Sequence, residues 1–381
     1  MKIHKATLGL SFALFAFFLS CTQDETAEQF ADTQYRVDVY DAKKYDFPDV
    51  IKDVTYLELA SDGPIIADAK QVVLTSDFIF IVDDVSNSLL KYSTSGEFLQ
   101  SLEGNPEGPG NVAEITWISI DSTAKIIYVY SEPEGKLASY DYDLRYIDHL
   151  PKTIFCHSIE HLEKDKFVAF SNDTRQSGLS HYFTILDWSG NIVNEMIPLD
   201  ERFERISYDM DRYLNRGTKC LYSFLNLRYD VYCISTHDAE IAYSIDLGTA
   251  KLNPDDINGK FISDIIPIIK NGNKFFINSL LESEDYSYIE LSNFANTIQV
   301  WINKKSGTSK VVSGFSSLTE LIGTPVGNLD NNKFVGIIPS EIAPSLAQFL
   351  DSGQIDSLNP VLSSWATSEN PGALLTIFQP K

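Results

Sequence analysis

Six short apolar segments that begin alike recur along the chain. Five of them open with lysine and one with aspartate, and β-branched and aromatic side chains dominate each. They occupy residues 77–82, 125–130, 166–170, 219–224, 274–278 and 333–337. Turn-forming residues precede them, as in Asn271-Gly272-Asn273, and the apolar positions run almost without alternation. The pattern predicts strands that follow tight turns and are covered on both faces.

A second apolar segment lies before each of these turns, so the repeating unit contains at least a hairpin. These segments cover residues 71–74, 115–120, 154–162, 206–214, 261–269 and 326–329. Two further strands follow in several units, for example at residues 88–92 and 97–102. The repeats start about 51 residues apart on average. Four antiparallel strands at that period, six times over, predict an all-β fold, a six-bladed β-propeller.

The two ends of the chain are predicted to share the last blade, because a propeller ring closes only when its first and last blades meet. Residues 374–378 form a final strand, and residues 54–59 are its natural partner. A short helical insert that Ser340 can cap precedes this final strand. Its apolar positions at helical spacing are Ile342, Leu346, Phe349 and Leu350. The propeller is therefore predicted to cover residues 51–381.

The first twenty residues have the pattern of a processing segment. Lys2 and Lys5 provide a positive start, and the apolar run at 6–19 is too short to span a bilayer comfortably. The run ends in Phe18-Leu19-Ser20-Cys21, which resembles the lipobox of bacterial lipoproteins although Phe18 replaces the usual leucine. We predict a signal peptide over 1–20 and lipidation of Cys21. An ordinary signal peptide with an incidental cysteine is the alternative.

Residues 21–50 are predicted to be an acidic tether and lead-in. The acidic pair Asp24-Glu25 soon after Cys21 resembles the export signal of surface lipoproteins of Bacteroidota. No second run of 18 apolar residues follows, so attachment to the membrane would rest on the lipid. We predict an outer membrane lipoprotein exposed on the cell surface, with a periplasm-facing position as the alternative.

Several short motifs are distributed over the rest of the chain. They are Val54-Thr55-Tyr56-Leu57-Glu58-Leu59, Val82-Asp83-Asp84, Leu90-Lys91-Tyr92, Gly96, the loop of Gly104, Asn105, Pro106, Glu107, Gly108, Pro109 and Gly110, and Glu369-Asn370-Pro371. With these motifs the chain resembles the six-bladed β-propeller lipoproteins of Bacteroidota, which are similar in shape to NHL-repeat and TolB-like propellers. The resemblance implies the fold and an envelope location, and it implies no ligand. That family usually has an acidic residue directly after the loop, where this chain has Asn111.

The glycine- and proline-rich loop at 104–110 lacks the ending of a phosphate-binding P-loop. We predict that it is a connection between blades that needs unusual φ angles, with a ligand-contacting loop as the alternative.

Composition narrows the range of partners. The chain has 53 acidic and 30 basic side chains, a formal charge of −23, and 44% hydrophobic residues. This apolar content is enough for a large core and excludes disorder of the whole chain. No cluster of lysine and arginine interrupts the negative charge, which would repel a phosphate backbone. Nucleic acid is therefore not expected as a partner.

No catalytic motif is identifiable in the sequence, and no cofactor or metal is predicted. The Gly-x-Ser-x-Gly elbow of serine hydrolases is missing. His157 and His161 share a strand face but would lie about 13 Å apart at strand rise, too far to share one metal. A lyase-type zinc or manganese site would need His149 or His181 nearby, and isolated histidines are the simpler interpretation. Asp83 and its neighbour are expected to cap a turn.

Cysteine provides a structural test. If residues 219–224 and 229–234 turn around Asn226-Leu227, Cys220 lies opposite Cys233. Opposed cysteines on paired strands can reach disulfide distance, and an extracytoplasmic location permits the bond. Two buried free thiols are the alternative. Cys156 is left without a partner.

These patterns lead to a functional hypothesis. The chain is expected to be a lipid-anchored envelope propeller that acts as a non-enzymatic binding or scaffold module for a glycan, peptide or partner protein. The central channel is the default site because the loops of a propeller converge there. A polysaccharide lyase or glycoside hydrolase on the same scaffold is the alternative, since fold does not decide function.

Overall fold

The computed structural model describes a large part of the chain. The described residues are 33–43, 47–105, 107–108, 110–172, 177–200, 213–225, 227–313, 321–329, 331–351 and 360–381. The predicted signal peptide, the lipidation site Cys21 and the two loop prolines Pro106 and Pro109 lie outside them.

The described strands, numbered along the chain, form six sheets that are the blades of a ring. The N-terminal strands are β1 (Gln34–Arg36) and β2 (Ile51–Glu58). Blade 1 contains β3 (Ala69–Leu74), β4 (Phe78–Asp83), β5 (Ser88–Ser93) and β6 (Phe98–Glu103). Blade 2 contains β7 (Trp117–Asp121), β8 (Ile126–Ser131), β9 (Lys136–Asp141) and β10 (Tyr146–His149). Blade 3 contains β11 (Ser158–Glu163), β12 (Lys166–Phe170), β13 (His181–Asp187) and β14 (Ile192–Pro198).

The second half of the ring follows the same scheme. Blade 4 contains β15 (Leu214–Arg216), β16 (Leu221–Phe224), β17 (Asp230–Ile234) and β18 (Ala239–Asp246). Blade 5 contains β19 (Phe276–Glu282), β20 (Tyr286–Ser292), β21 (Thr297–Asn303) and β22 (Thr308–Ser313). Blade 6 contains β23 (Thr324–Leu329), β24 (Lys333–Ile338), β25 (Leu374–Pro380) and the N-terminal β2. The prediction of a six-bladed propeller with four-stranded antiparallel blades is confirmed.

Short helices lie between blades and inside the last one. They are α1 (Phe47–Val50), α2 (Pro254–Ile257), α3 (Ile262–Gly272), α4 (Ala343–Asp351) and α5 (Pro360–Ala366). The predicted C-terminal insert is helical, as expected. The prediction that Ser340 caps this insert is wrong, because Ser340 lies inside the 3-10 turn Ser340–Ile342 that leads directly into α4. Pro344 falls in the first turn of α4, where its missing N–H has no cost.

Ring closure joins the two ends of the chain in blade 6. Strand β2 pairs antiparallel with β25, with Thr55 opposite Ile377, and β25 pairs in turn with β24. This is the predicted partnership. Next to it, the inner strand β23 of blade 6 approaches β3 of blade 1 so closely that a Cβ added to Gly327 would lie 2.4 Å from the Val72 carbonyl oxygen.

The N-terminal lead-in runs along the outside of the ring. Strand β1 pairs in parallel with β18 and becomes a fifth strand of blade 4. Lys43 then forms a bridge to Val312 in the outer strand of blade 5, and β2 is the outer strand of blade 6. Three consecutive blades are therefore linked by one N-terminal segment, which also covers the open edges of two of them.

Blade 5 departs from the predicted order of strands. The apolar segment 261–269 is not the first strand of the unit, because it belongs to helix α3. Its isoleucines are spaced for a helix, and Ile265 and Ile269, four residues apart, are both buried. The turn residue Asn273 is the left-handed C-cap of this helix at φ 48°. The lysine-led segment that follows is accordingly the first strand of blade 5, not the second.

The predicted register in blade 4 is wrong, although the two cysteines do meet. Cys233 lies opposite Tyr222, because the turn is centred one residue later than expected, with Leu227 at φ 56° and the Arg228 N–H bonded to the Leu225 carbonyl. Cys220 precedes the strand and joins Cys233 diagonally in a disulfide with a Cα–Cα distance of 5.7 Å. Cys156 is buried as a free thiol.

Aromatic side chains fill the spaces between blades. Tyr128 of blade 2 packs edge-on against Phe167 of blade 3 at 4.8 Å, and Trp301 of blade 5 packs against Phe334 of blade 6 at 5.2 Å. Burial raises the pKa of four tyrosines to about 12, because the charged phenolate cannot be solvated there. They are Tyr92, Tyr140, Tyr182 and Tyr222.

We expect Gly327→Ala to destabilise the protein by about 1–3 kcal/mol, because the added methyl group must push blade 6 away from blade 1. The measurement is the urea-unfolding free energy. The matched control is Gly272→Ala, where the added Cβ meets only the flexible Lys274 side chain at 3.3 Å. Equal stability of the two variants would contradict a tight 6–1 junction.

Because burial raises the pKa of these tyrosines, we expect the protein to lose stability at alkaline pH. A tyrosine titrates near pH 10 in the unfolded chain, whereas burial raises the pKa of Tyr92 to about 12 in the fold. The stability that comes from keeping it neutral is present below about pH 10 and disappears as the pH rises towards 12. Tyr92→Phe should flatten this part of the stability profile, and Tyr40→Phe, at an exposed position, should leave it unchanged. Identical profiles would show that Tyr92 titrates normally.

Candidate functional site

The inner strands of the blades surround a cavity of about 1010 Å³. Its walls come from β3, β7, β11, β15, β19 and β23, and one end is formed by the turns that follow them. The turn residues at this end include Thr75, Ser122, Thr218 and Asn331. We call this cavity the channel, and we call the end that the turns form its mouth. The mouth therefore opens on the face of the ring that carries the turns between first and second strands.

Side-chain hydrogen bonds join the inner strands of blades 1 and 2. The side-chain amide of Gln71 donates to the Ile118 carbonyl at 2.9 Å and accepts from the Ile118 N–H at 3.0 Å. Gln71 thereby pairs with a backbone as a neighbouring strand would. Because adjacent inner strands in a propeller are too far apart for main-chain pairing, a long amide side chain spans the gap.

Blades 2, 3 and 4 are connected through one carboxylate. Glu160 on β11 accepts a hydrogen bond from the Trp117 indole N–H at 3.0 Å and from Arg216 Nε at 3.3 Å. Arg216 also donates to the His161 carbonyl, and the His161 N–H donates to Ser119 Oγ at 2.9 Å. The Glu160 side chain is almost fully buried, at 8% exposure, while that of Arg216 is 46% exposed towards the channel. The buried charge is thus compensated by a partner that stays in contact with solvent.

Blades 4, 5 and 6 meet in a cluster of amides. Asn215 Oδ1 accepts from the Glu282 N–H at 2.7 Å, and its Nδ2 donates to Asn328 Oδ1 at 3.2 Å. Asn328 Nδ2 donates to the carbonyls of Arg216 at 2.8 Å and Glu282 at 2.6 Å. Together with the close approach at Gly327, every junction of the ring is spanned near the axis.

A second buried charge lies behind this cluster, between blades 4 and 5. The Glu282 side chain is fully buried, forms an ion pair with Lys304 at 2.8 Å and accepts a hydrogen bond from the Tyr243 hydroxyl. Burial first, and the Glu282 carboxylate second, raise the pKa of Tyr243 well above its usual value. Tyr35 of β1 stacks edge-on against Tyr243 at 5.2 Å, so the N-terminal lead-in helps to enclose this pair.

Some of the polar groups at the mouth differ from those deeper in the channel, whereas Thr75 and Ser76 at this end bond within their own turn. Those deeper in the channel are engaged with other blades, as described above. Ser122, Thr218, Asn331 and Lys333 line the cavity, and in the described part of the chain their side chains make no hydrogen bond or ion pair. These four residues, together with the exposed part of Arg216, are the mouth residues. They are available to a ligand without breaking a contact within the protein.

The histidines do not converge. His149 bonds the Tyr146 hydroxyl at 2.6 Å in blade 2, His181 lies 3.2 Å from Glu195 in blade 3, and His161 stacks on Tyr128. Within the described ranges, no group of three or more histidine, cysteine, aspartate or glutamate side chains is placed to hold a metal ion.

The loop at 104–110 lies between the last strand of blade 1 and the first strand of blade 2. Gly104 packs against the Asn87 side chain so tightly that a Cβ would lie 2.1 Å from it, and Gly108 has φ +109°. Asn87 in turn bonds the Ala113 carbonyl at 2.9 Å and the Ile115 N–H at 2.8 Å. The Tyr140 hydroxyl donates to the Gly110 carbonyl. The described residues of the loop are in contact with both blades, and none of them is among the residues that line the channel.

Two other predicted positions have structural roles. Asp83 is fully buried and accepts backbone N–H groups of Ala67, Asp68 and Ser86 at 3.0, 2.7 and 2.9 Å, as expected for a capping residue. The disulfide between Cys220 and Cys233 lies in blade 4 outside the channel walls. The channel residues Gln71, Glu160, Arg216 and Asn328 were not predicted from the sequence. Gln71 carries a weak signal, because it directly precedes the apolar residues Val72, Val73 and Leu74 in its strand. Glu160 carries none, because its strand Ser158–Glu163 contains several other polar residues.

A smaller cavity of about 460 Å³ lies between blades 2 and 3 on the opposite face of the ring. Its lining includes Glu114, Pro133, the partly exposed Phe155 and the buried Cys156. Burial raises the pKa of the Cys156 thiol to about 12, so it is a poor nucleophile in the folded protein.

Fold and channel together define a six-bladed propeller whose inner strands are joined by side-chain hydrogen bonds near the axis. A family model described as a domain of unknown function, DUF4934, matches residues 34–372, and the chain belongs to this family. No curated protein matches the chain.

Two crystal structures from Bacteroides are similar. One, a protein provisionally described as exported, from Bacteroides fragilis, has a TM-score of 0.70 and 15% identity over 91% of this chain and 99% of its own. A member of the DUF4221 family from Bacteroides vulgatus has a TM-score of 0.52 and 8% identity over 87% and 97%. At these identities the similarity shows the fold alone. No described helix has the length and apolar character needed to cross a membrane.

Proposed function

We propose that this protein is an exported, lipid-anchored propeller of the outer membrane, exposed on the cell surface, that binds a soluble ligand at its channel. The observation that carries the binding role is the division of polar groups along the channel. The polar side chains deep in the channel are hydrogen-bonded to other blades. The mouth residues have free hydrogen-bonding capacity around a cavity of about 1010 Å³. A cavity of this size is at the upper end of the range for small-molecule sites.

The chemistry of the channel supports binding over catalysis. Its described walls contain one carboxylate, Glu160, which is already bonded to Trp117 and Arg216. General acid–base chemistry needs a group that can exchange a proton with the substrate. A carboxylate that is buried and ion-paired serves poorly in that role, and its present contacts already account for its position. We infer that the protein is a binding or scaffold module, and a glycan, a peptide or a partner protein would each be a suitable ligand class.

The sequence supports the location. The positive start, the apolar run and Ser20-Cys21 suit lipidation, and the acidic pair Asp24-Glu25 suits transport to the surface. The similar Bacteroides fragilis protein is provisionally described as exported, which is consistent with the same compartment. Because the formal charge is −23, the lipid and not the protein surface would provide attachment to an anionic envelope.

Replacing the proposed lipid acceptor tests the anchor. We expect Cys21→Ser to shift the protein from the membrane fraction to the soluble fraction of fractionated cells and to abolish incorporation of a labelled fatty acid. Cys156→Ser is the matched control, because Cys156 is a buried thiol of the ring and should have no effect on either measurement. Retention of Cys21→Ser in the membrane would contradict lipid anchoring.

Protease treatment of intact cells distinguishes a surface position of the wild-type protein, where it is cleaved, from a periplasm-facing one, where it is protected.

Obstructing the mouth tests the binding role. Ligands are first identified by glycan-array and peptide-array binding, with turnover assayed on every hit. Ser122→Trp places a large ring at the mouth, where it occupies space that a channel ligand would fill. The ligand then loses contacts with the channel, so its binding should weaken by about tenfold or more. Ser189→Trp adds the same ring to an exposed turn of blade 3 outside the cavity and should bind normally. Turnover of a hit, or equal binding by both variants, would contradict the proposal.

A further inference from the structure

The channel mouth differs in charge from the rest of the protein. The whole chain carries a formal charge of −23, but the charged groups in the described lining of the cavity are Glu160, Arg216 and Lys333. Glu160 is neutralised by its ion pair with Arg216, at 3.3 Å. Lys333 has no counter-charge and no hydrogen-bond partner among the described residues. The described lining of the cavity therefore contains two cations and one anion.

Arg216 has hydrogen-bonding capacity left over. A guanidinium group has five N–H donors. Nε donates to Glu160 and one Nη2 hydrogen to the His161 carbonyl, which leaves the Nη1 group and one Nη2 hydrogen without a protein acceptor in the described part of the ring. Because the side chain is 46% exposed in the channel, these donors are accessible from the mouth. Glu160 holds the planar group in place, so little side-chain entropy is lost when it binds an anion.

The remaining mouth residues have a different chemistry. The side chains of Ser122, Thr218 and Asn331 are exposed and can each donate and accept a hydrogen bond. Sugar hydroxyls need this two-way pairing, since each is both donor and acceptor. A cation for a carboxylate and several two-way groups for hydroxyls are the complement of a sugar acid. An acidic peptide would use the cations but has few hydroxyl groups to match the others.

We propose that the channel mouth binds a saccharide that carries a carboxylate, a uronic acid unit, with Lys333 and the free edge of Arg216 holding the carboxylate. Ser122, Thr218 and Asn331 bind the ring hydroxyls. This inference rests on the proposed binding function and names its ligand class. Lys333 is a binding residue here, whereas Arg216 also has a structural role through Glu160.

The chain contains a matched control for Lys333. Lys333 is the first residue of β24, the second strand of blade 6, and Lys166 is the first residue of β12, the second strand of blade 3. Both are partly exposed, and neither has a side-chain partner among the described residues. Lys166 does not line the cavity. Lys333→Gln and Lys166→Gln therefore make the same chemical change at equivalent positions, one inside the site and one outside it.

The experiment is isothermal titration with oligosaccharides of galacturonate, glucuronate and mannuronate, each compared with its neutral methyl ester. We expect at least one acid form to bind about tenfold or more tightly than its ester, because a charge-assisted hydrogen bond is worth that much. Lys333→Gln should remove most of this preference and reduce the salt dependence of binding. It should leave binding of the ester unchanged. Lys166→Gln should behave as the wild type.

Each other outcome has a meaning. Equal binding of acid and ester, equal behaviour of the two lysine variants, or tighter binding of triglutamate than of any uronate would each overturn the sugar-acid assignment. If in those cases a neutral glycan or a peptide still binds and Ser122→Trp abolishes that binding, the proposed binding function survives. If no array ligand and no uronate binds, both proposals fail. Circular dichroism of each variant separates a loss of binding from a loss of fold.

Discussion

The meeting of the two chain ends in blade 6 is the constraint on which the other contacts rest. A blade stacks only on its two neighbours, so a ring with one open junction exposes two apolar faces. Strand β2 closes that junction by adding itself to β25, and the absence of a side chain at Gly327 lets β23 approach the Val72 carbonyl. Lead-in strand β1 extends the same linkage to blade 4, and the Lys43–Val312 bridge extends it to blade 5. Only in a closed ring do the inner strands keep the fixed spacing that Gln71, Glu160 and Asn328 span.

The same spacing explains how a structural network and a candidate site share one channel. The inner strands have an edge that faces the axis, and the backbone N–H and C=O groups on that edge need hydrogen-bond partners. Polar side chains deep in the channel provide such partners by bonding to other blades. Asn328 alone contacts three residues from blades 4 and 5. Replacing such a residue would loosen the ring and alter binding at once. At the mouth, side chains such as Ser122 and Lys333 lie beyond the ends of the inner strands, and they have no side-chain partner among the described residues.

The ring could be predicted from the sequence, since each lysine-led strand and its preceding turn is a local signal. The predictions were wrong where one local sequence pattern is compatible with two different local structures. Segment 261–269 is apolar enough for a strand, yet its isoleucines at helical spacing form α3, and the blade 4 turn shifted by one residue because Leu227 adopts a left-handed conformation. The channel could not be predicted, because its contacts join residues far apart in the chain. Gln71 and Ile118 are 47 residues apart, and Asn215 and Asn328 are 113 apart. The strand Ser158–Glu163 is polar at several positions, so the sequence neither singles out Glu160 nor indicates Trp117 or Arg216 as its partners.

The position of β1 also limits how the ring can sit at a membrane. The predicted tether and lead-in extends to residue 50, but part of it belongs to the ring, because Gln34–Arg36 pairs with β18. With a lipid on Cys21, twelve residues would separate the anchor from Gln34 of β1, and this stretch would reach at most about 45 Å if fully extended. That distance is comparable to the width of a small domain, so the ring would stay close to the bilayer. Its negative charge would be repelled by anionic headgroups, which favours a position held off the surface at the end of the leash. With the proposed lipid, the anchor would constrain the ring through blade 4, because β1 pairs with β18 of that blade.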